Sequence, residues 1–492
     1  MISRIALALA LVAAPGVATA GPSVFKTAPA DPRAVTVAGH GDGRADDSAA
    51  LQGAIDAAAA KGGGGIVFLP SGRYRISRTI FLWPGVRVFG VGATRPVITL
   101  GDATPGFQHG IANMLIFTGA RRGEFPRVPF PPTGSVPFDP AIADANQNTF
   151  YSALGNVDFA IGAGNPAAVA VRFHGAQHTY LSHMDFALGS GLAGVYQVGN
   201  FASDLHFHGG RYGILTENTS PAWQFTLVDS TFDGQRDAAI REHQAGLTLA
   251  NVTMRDVPVG IEVDAGYNDW FWGKNVRFDH VSRAGIIISN EASAYTQIGF
   301  DNAVATATPV FARFRDSGKT VPGKGATYRV TAFNHGLALP APGAMGKIAT
   351  VMQAEALASL PAAVSPALPS LPAPDLWVDV RTLGVKGDGT TDDTAAIQSA
   401  IDRQRILYFP VGRYVVSDTL RLRPDTVLIG LHPNLTQIVL PDSTPGFQGV
   451  GAAKAVIQSA DGGDAIVSGL GIATGGINPR ATGLLWTAGA GS

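Results

Sequence analysis

Two carboxylate side chains, Glu217 and Asp264, end short apolar segments of similar sequence, "GILTE" at 213 and "GIEVD" at 260. A third such segment, "AIREH" at 239, lies between them and carries His243 at the corresponding position. If the three segments are strands of successive coils, the two carboxyls stand two strand spacings apart, on the order of 9.6 Å. Inverting glycosidases hold their acid and base about 6.5–9.5 Å apart, so Glu217 and Asp264 are candidates for hydrolysis of a glycosidic bond.

The same segments also allow a purely structural interpretation. Their alternation places Tyr196, Leu215, Arg241 and Glu262 in one outward-facing row. Arg241 and Glu262 would then form a surface ion pair worth about 0–1 kcal/mol, with the other polar side chains in solvent.

Four aromatic side chains are candidates for binding sugar rings: Tyr196, Tyr267, Trp270 and Trp272. An aromatic face stacks on the C–H surface of a sugar, and an indole edge donates a hydrogen bond. The alternative is that the two tryptophans fill the side of the core, since tryptophan is usually largely buried.

No metal site and no cofactor are predicted. The chain has no cysteine, and His206 and His208 alternate with apolar residues without a third ligand at metal spacing. Asp42, Asp46 and Asp47 have a spacing that calcium could use, but the glycine and terminal glutamate of an EF-hand loop are missing. A turn that caps a helix is the interpretation we favour for these aspartates.

A repeat of about two dozen residues predicts the architecture that positions these side chains. Large apolar residues recur at intervals of 21 to 25 residues, at Phe186, Phe207, Phe232, Met254 and Phe278. Coils of this length cannot bury their apolar side alone, so they stack with parallel strands. The pattern predicts an all-β fold, a right-handed parallel β-helix of the pectin-lyase-like type, over a β-sandwich, which would show hairpins and no coil period.

The opening of the β-helix is written twice, as "GDGRADDSAALQGAID" at 41 and "GDGTTDDTAAIQSAID" at 387. Each copy predicts a short amphipathic helix that caps the open end of a coil stack, with Asp46 or Asp47 at the N-terminus of the first helix. The chain is therefore divided into a first β-helix domain at 31–336, a Pro- and Ala-rich linker at 337–375 with a short helix near 351–357, and a second β-helix domain at 376–492. The second domain matches only the first half of the first, so we expect the chain to be a fragment with an incomplete second β-helix.

The first 20 residues predict a cleavable signal peptide, with an apolar run and an A-x-A site at Ala18–Ala20. We therefore expect a secreted or periplasmic protein without a membrane span. A formal net charge of −1 gives no basic field for nucleic acid. The expected partner is a polysaccharide substrate; the sequence does not determine the oligomeric state, and a monomer is the default expectation. The Pro-rich segment at 121–148 is interpreted as an inserted loop, either a cleft wall or a surface arm.

The two openings, "NQNTFYSALGNVDFAIGAGNPAAVAVRFHGAQHTYL" at 146 and "DLHFHGGRYGI" at 204 together resemble the pectate-lyase-like (rhamnogalacturonase/epimerase-like) superfamily. Within it, the tandem arrangement is most similar to the exo-β-1,3-glucanases of glycoside hydrolase family 55. The resemblance runs from about residue 35 to the C-terminus. It implies hydrolysis of β-1,3-glucan from one end, with inversion, in a cleft between two β-helices.

The resemblance carries few site residues over. Gln177, in "GAQHTYL", matches a glutamine that helps to hold the attacking water. Asn200 stands where the family has a water-binding serine, in a loop about two residues shorter than the family's. The family's general-acid glutamate comes from a later part of the second domain, for which this sequence has no counterpart.

Two other functions remain open at this stage. One is a polysaccharide lyase on the same scaffold, for which Asp229, Asp233 and Arg236 are scattered loop candidates. The other is a non-catalytic carbohydrate-binding or tailspike-like β-helix, because this scaffold hosts many functions.

Overall fold

Short parallel strands of the first half of the chain stack into coils with three faces. The computed structural model describes residues 21–121, 149–217 and 224–492. The first face consists of Ala34–Thr36, Gly65–Pro70, Val86–Val91, Ala153–Gly155, Tyr180–Gly189, Phe201–Gly209, Phe225–Val228, Leu247–Ala250, Trp270–Lys274 and Gln297–Thr306. The predicted signal peptide and nearly all of the predicted inserted loop lie outside the described residues.

The second and third faces complete each coil. The second face consists of Asp42–Asp46, Arg73–Ile76, Val97–Leu100, Asp158–Ile161, Thr231–Asp233, Thr253–Arg255 and Arg277–Asp279, together with the later halves of the three longest first-face strands. The third face consists of Ile80–Leu82, Ala112–Phe117, Ala168–Arg172, Ala193–Tyr196, Tyr212–Leu215, Ala238–Glu242, Val259–Val263, Ala284–Ile288, Val310–Phe314 and the antiparallel Thr320–Pro322.

The coil period predicted from the large apolar residues is the observed strand register. Phe186 pairs with Phe207, Phe207 with Phe232, and the row continues through Met254 to Phe278. The Phe186, Phe207 and Phe232 rings stack inside the helix, with centroids 4.8 and 4.7 Å apart. The prediction of a parallel β-helix is confirmed, and the β-sandwich alternative is wrong.

One corner of the coil is built from a ladder of asparagines. Asn251, Asn275 and Asn302 have φ values of 56°, 54° and 55°, a left-handed conformation that asparagine tolerates better than most residues. Asn302 donates to the side chain of Asn275 at 2.7 Å, Asn275 to Asn251 at 2.9 Å, and Asn251 to Asp229 at 2.8 Å. The side-chain amides therefore repeat the coil-to-coil bonding of the backbone.

Helix α1, Ser48–Ala60, covers the first coil and buries Leu51, Ala54 and Ile55, as its pattern predicts. Asp47 occupies the N-cap position, but its side chain does not cap the helix. Its carboxylate instead accepts the backbone N–H groups of His40 at 2.7 Å and Gly41 at 3.1 Å, while Asp46 accepts the N–H of Ser48 at 3.0 Å. The aspartate oxygens thus bind protein N–H groups and fold the preceding turn.

Helix α2, Thr394–Arg403, opens the second β-helix with the same device, since Asp393 accepts from the N–H groups of Lys386 and Gly387. Its three faces consist of Val378–Asp379, Ile406–Tyr408, Val427–Ile429 and Ile466–Ser468; Asp388–Asp392, Gly412–Val415, Thr436–Val439 and Gly471–Ala473; and Leu420–Arg421, Lys454–Gln458 and Ala481–Leu485. Short 3₁₀ turns lie at Pro374–Leu376, Val380–Leu383 and Pro445–Phe447.

The segment after the last coil differs from the prediction. Thr327–Ala338 and Lys347–Ala356 form an antiparallel hairpin on the edge strand Gln297–Thr306, so the helix expected near 351–357 is wrong. Met352 and Ala354 alternate toward the core, and this period of two outweighs the alanine-rich composition that suggested a helix. Tyr328, Val330 and Phe333 are fully buried, so the hairpin covers the end of the coil stack.

The chain then returns along the first β-helix to bring the second beside it. The N–H of Ala367 donates to Asp229 at 2.9 Å, and Arg277 donates to the carbonyl of Pro361 at 2.9 Å. The two β-helices pack through a shared apolar cluster consisting of Phe25, Ile66, Phe68, Phe89, Val91, Ile406, Tyr408, Val427, Ile429 and Leu431. Asp31 links them at one end by accepting the hydroxyl of Tyr408 at 2.8 Å.

Candidate functional site

The third face brings the predicted outward row into register. Tyr196 pairs with Leu215, Leu215 with Arg241, and Arg241 with Glu262. Arg172, one coil toward the N-terminus, pairs with Tyr196 and extends the row. Arg172 was not predicted, although it has the equivalent position in "AVAVRF". The row therefore contains one more cation than was expected.

Tyr196 is the centre of a buried polar cluster. Its side chain is fully buried, its hydroxyl donates to Glu217 Oε2 at 3.1 Å, and the Arg172 guanidinium lies 6.0 Å from its ring centroid. Burial, and then the negative charge of Glu217, raise the pKa of Tyr196 well above its usual range. The hydroxyl therefore stays protonated and acts as a permanent donor to Glu217.

The glutamines Gln177 and Gln197 have buried side-chain atoms without a hydrogen-bond partner among the described residues. The Gln177 Oε1 atom accepts from none of them. Gln197, which the sequence analysis did not select, is buried beside the Tyr196 hydroxyl at φ 56°. His178 is also left-handed, at φ 62°, the conformation that the asparagine corner of the coils adopts.

Asn200 lies in a groove between the two β-helices. The groove has a volume of about 390 Å³. Its first wall includes Arg87, His178, Tyr180 and Asn200, and its second includes the turn at 468–470. Among the described residues that line it, none carries a carboxyl group. A base acting in the groove would therefore come from outside its lining.

Asp264 occupies a different environment two coils away. Arg241 Nε lies 2.6 Å from its Oδ1 and His243 Nδ1 lies 2.8 Å from its Oδ2. Burial acts to raise the pKa of Asp264, but the hydrogen bonds from His243 and Arg241 outweigh it and lower the pKa below its ordinary value. Asp264 is therefore ionised near neutral pH, which suits a base or an electrostatic role and not a proton donor.

Of the four aromatic candidates, Tyr196 is fully buried and offers no face to a sugar, and the other three lie in two places. Tyr267 is 41% exposed and stacks on His243, with ring centroids 4.0 Å apart, so it belongs to the Asp264 environment. Trp270 and Trp272 lie on the first-face strand, where Trp272 is 42% exposed and Trp270 half-buried. Trp272 does not fill the core, and the two tryptophans are on another face from Asp264.

An arginine-rich cavity, which the sequence analysis did not predict as a unit, opens beside Asp264. It has a volume of about 490 Å³ and is lined by Tyr212, Pro258, Ala265, the carboxylates of Asp237, Glu262 and Asp264, and the guanidinium groups of Arg211, Arg236, Arg241, Arg283 and Arg315. Three of these arginines pair with the three carboxylates. Arg315, not Arg241, pairs with Glu262, at 2.7 Å, so the predicted Arg241–Glu262 ion pair is wrong. Two positive charges remain in excess.

Comparison with known proteins gives a family match over most of the chain. The model of a family described as "Rhamnogalacturonase A/epimerase, pectate lyase-like" matches residues 35–262 and 377–488. A non-secreted LysM effector, LysM19, of Penicillium expansum is 25% identical over 79% of this chain and 32% of its own length. A probable glucan endo-1,3-beta-glucosidase of Arthroderma benhamiae is 27% identical over 46% of this chain and 25% of its own length.

Among solved structures, the catalytic unit of a GH87 alpha-1,3-glucanase from Streptomyces thermodiastaticus is 11% identical. The match covers 95% of this chain and 71% of that one, at a TM-score of 0.33. This chain spans a third or less of the length of the first curated relatives that it matches. In the part that the structure describes, no helix is long and apolar enough to cross a membrane.

Proposed function

We propose that this chain, which belongs to the pectate-lyase-like rhamnogalacturonase A/epimerase family, is a glycoside hydrolase acting on a β-1,3-glucan-like polysaccharide. The resemblance to tandem β-helix exo-β-1,3-glucanases supports this substrate, as does the similarity over part of the chain to a probable glucan endo-1,3-beta-glucosidase. The predicted leader supports export, where such a polymer would be met.

The observation that carries the proposal is the partly buried Tyr196–Glu217 contact, in which the Tyr196 hydroxyl donates to Glu217 Oε2 at 3.1 Å and holds one oxygen of that carboxylate. Asn200, four residues after Tyr196, lines the groove between the two β-helices, and its amide can hold a water. Gln177 Oε1 accepts from no described residue and is the second candidate to hold that water.

The proposed reaction is a single displacement with inversion. Water adds to the anomeric carbon as the bond from that carbon to the leaving oxygen breaks; Glu217 takes the proton of the water. The leaving oxygen takes a proton from an acid, and the ionised state of Asp264 makes it unsuited to that role. The family resemblance expects the acid on the second β-helix side of the groove.

The test is hydrolysis of laminarin by the purified chain and its Glu217→Gln variant, with product anomers followed by NMR. We expect the wild-type chain to release the α-anomer first and Glu217→Gln to lose on the order of 10²–10⁴ in kcat. Glu355→Gln is the matched control, because Glu355 lies exposed on the hairpin and pairs only with Arg329.

The outcomes separate the hypotheses. Equal activity of Glu217→Gln and the control would overturn the assignment of Glu217. A loss in Asp264→Asn as large as in Glu217→Gln would assign the reaction to the Glu217–Asp264 pair. Binding of laminarin without any turnover would favour a carbohydrate-binding protein.

The arginine-rich cavity favours a second candidate, a polysaccharide lyase acting on a uronate polymer. Its two excess positive charges and the exposed Tyr267 ring would suit an anionic sugar chain. This candidate predicts ultraviolet-absorbing unsaturated products from polygalacturonate and their loss in Arg283→Gln. Absence of such products with wild-type protein would exclude it for that substrate.

A further inference from the structure

Gly21, the first residue after the A-x-A motif, is held in a buried polar site on the second face. Its backbone nitrogen donates to Asp158 Oδ2 at 3.0 Å across 137 residues of sequence. Its carbonyl oxygen accepts the backbone N–H of Arg95 at 3.2 Å. Both backbone groups of a single residue are therefore fixed to the β-helix.

The site that receives Gly21 carries an uncompensated negative charge. Asp158 Oδ1 lies 3.0 Å from Arg95 Nε, and Asp185 Oδ2 lies 2.6 Å from Arg95 NH2. The Asp158 and Arg95 side chains are each only 4% exposed and that of Asp185 is 27% exposed. Two carboxylates thus share one guanidinium, and burial of an unpaired charge is costly.

The neighbouring histidines on the same face bond to Asp204 and not to Asp158. The hydrogen bond to Asp204 and, to a smaller degree, the charge of Asp185 raise the pKa of His206. Arg95 is the cation that acts on Asp158. His206 Nε2 is 2.9 Å from Asp204 Oδ1, and His183 Nδ1 is 2.7 Å from Asp204 Oδ2, so these residues are engaged with one another. Burial raises the pKa of Asp158 despite the opposing effect of Arg95, as expected for a carboxylate without a full complement of positive charge.

The site also selects the residue type at position 21. A Cβ atom built on Gly21 would overlap the Arg95 guanidinium, so no residue with a side chain fits without displacing that group. Glycine at the position after the motif Ala18–Ala20 is therefore the residue that leaves the Arg95 guanidinium in place.

We propose that a leader peptidase cleaves the bond between Ala20 and Gly21, and that the new α-ammonium group of Gly21 forms a buried ion pair with Asp158. Water adds across the peptide bond, leaving the carboxylate on Ala20 and the ammonium on Gly21. The ammonium supplies the one positive charge that the Asp158–Arg95–Asp185 group lacks. Processing therefore completes the folded structure as well as releasing the leader.

The ion pair has a defined pH dependence. The ordinary pKa of an α-amino group is about 7.7–8.0, and the carboxylate of Asp158 would raise it in the folded state. The stabilisation is then fully present below about pH 7.7 and is lost as the pH rises through the raised value. The charged and titratable groups around the site are Arg95, Asp158 and Asp185, together with His206, His183 and the Asp204 carboxylate that both histidines bond.

The test compares the chain beginning at Gly21, released from a cleavable fusion, with the same chain acetylated at Gly21. At pH 6.5 we expect acetylation to lower the melting temperature by about 2–4 °C. We expect the α-amino group to be alkylated at least tenfold more slowly than in the urea-unfolded chain at the same pH. In Asp158→Asn the effect of acetylation should vanish, whereas Asp185→Asn, which does not touch the Gly21 nitrogen, should retain it.

Equal melting temperatures of the free and acetylated chains would overturn the proposal, as would an acetylation effect that persists in Asp158→Asn. N-terminal sequencing of protein exported from an expressing host gives an independent check. A start at Gly21 supports the cleavage site, and a start elsewhere rejects it.

Discussion

His432 of the second β-helix places its Nε2 atom 2.7 Å from the carbonyl oxygen of Gly85 in the first. The imidazole is fully buried, and its ring centroid lies 6.2 Å from that of Tyr151. Burial, followed by the charge of Arg87, lowers the pKa of His432 to about 3. The neutral ring therefore donates one of the hydrogen bonds that join the two β-helices.

This contact predicts a loss of stability in acid. The unfolded chain binds a proton at His432 below about pH 6.5, whereas the folded chain does so only near pH 3. The contribution of His432 therefore falls as the pH falls between these values, by up to about 1.4 kcal/mol per pH unit. Urea unfolding at pH 7 and pH 5 should show a smaller pH effect in His432→Gln, whose amide can still donate to Gly85. An equal pH effect in the two proteins would contradict the assignment.

Removing the Tyr196 hydroxyl should reduce catalysis more than stability. Tyr196→Phe keeps the buried ring but leaves Glu217 Oε2 without its donor, and we expect kcat/KM on laminarin to fall about tenfold, or ~1.4 kcal/mol. Tyr267→Phe is the control, because Tyr267 is exposed and its hydroxyl makes no hydrogen bond to the described residues. Steady-state kinetics of both variants test this, and equal effects would argue against a role for the Tyr196–Glu217 contact.

The phenylalanine stack should dominate the stability of the first β-helix. Phe207 is fully buried between Phe186 and Phe232, so Phe207→Ala leaves a cavity and should cost about 3–5 kcal/mol. Trp272→Ala should reduce the free energy of unfolding by clearly less, because the Trp272 side chain is 42% exposed. Denaturant unfolding measures both, and a similar cost would mean that the stack is not a main source of stability.

The asparagine ladder predicts that two substitutions of Asn275 reduce the stability of the protein by different amounts. Asn275→Ala loses two side-chain hydrogen bonds and forces a left-handed backbone on alanine, at a cost of about 2–4 kcal/mol. Asn275→Gly loses the same hydrogen bonds without the backbone strain, so it should be the more stable variant by about 1 kcal/mol. Thermal unfolding of the two proteins gives the order; the reverse order would show that the backbone conformation contributes little.

The periodic parts of this fold could be predicted from sequence, because a stacked coil repeats one side-chain requirement every turn. The Phe186 to Phe278 series and the row from Tyr196 to Glu262 are both found in register. The parts of the fold that do not repeat were predicted less well. The strand Lys347–Ala356 was predicted to contain a short helix because its alanines favour one. Its alternation of buried and exposed side chains arises from pairing with Thr327–Ala338, which in turn pairs with Gln297–Thr306.

The candidate site was predicted only where its residues share that repeat. Glu217 and Asp264 are two coils apart as expected, but the partners that distinguish them come from elsewhere in the coil. Tyr196 reaches Glu217, while His243 and Arg241 hold Asp264. Gln197 was not predicted, because it is distinguished by a left-handed backbone and by burial, and neither property can be read from the residue type.

A buried carboxyl pair inside the first β-helix predicts a stabilising substitution. Glu242 is fully buried, and burial, followed by the nearby Asp269, raises its pKa well above the usual value. The contribution of Glu242 to the free energy of unfolding is therefore fully present below its pKa in the unfolded chain, about 4.3, and is lost as the pH rises above that value.

Glu242→Gln keeps the shape of the side chain without an ionisable group. We expect this variant to be more stable than the wild-type protein at pH 8 and no more stable at pH 4, as measured by urea unfolding. A difference that does not change with pH would contradict the raised pKa.

The contacts between the two β-helices follow the same order along both. Asp31 meets Tyr408, then Arg87 meets Leu431, and farther along Asn200 faces the turn at 468–470. The two β-helices therefore run in the same direction but not coil for coil. Arg87 and Asn200 lie three coils apart in the first, whereas Leu431 and the turn at 468–470 lie one coil apart in the second. Because each coil adds about 4.8 Å, a coil inserted between Arg87 and Asn200 would shift one wall of the groove along the other by that increment. The relative position of the two walls can therefore change in whole coil steps.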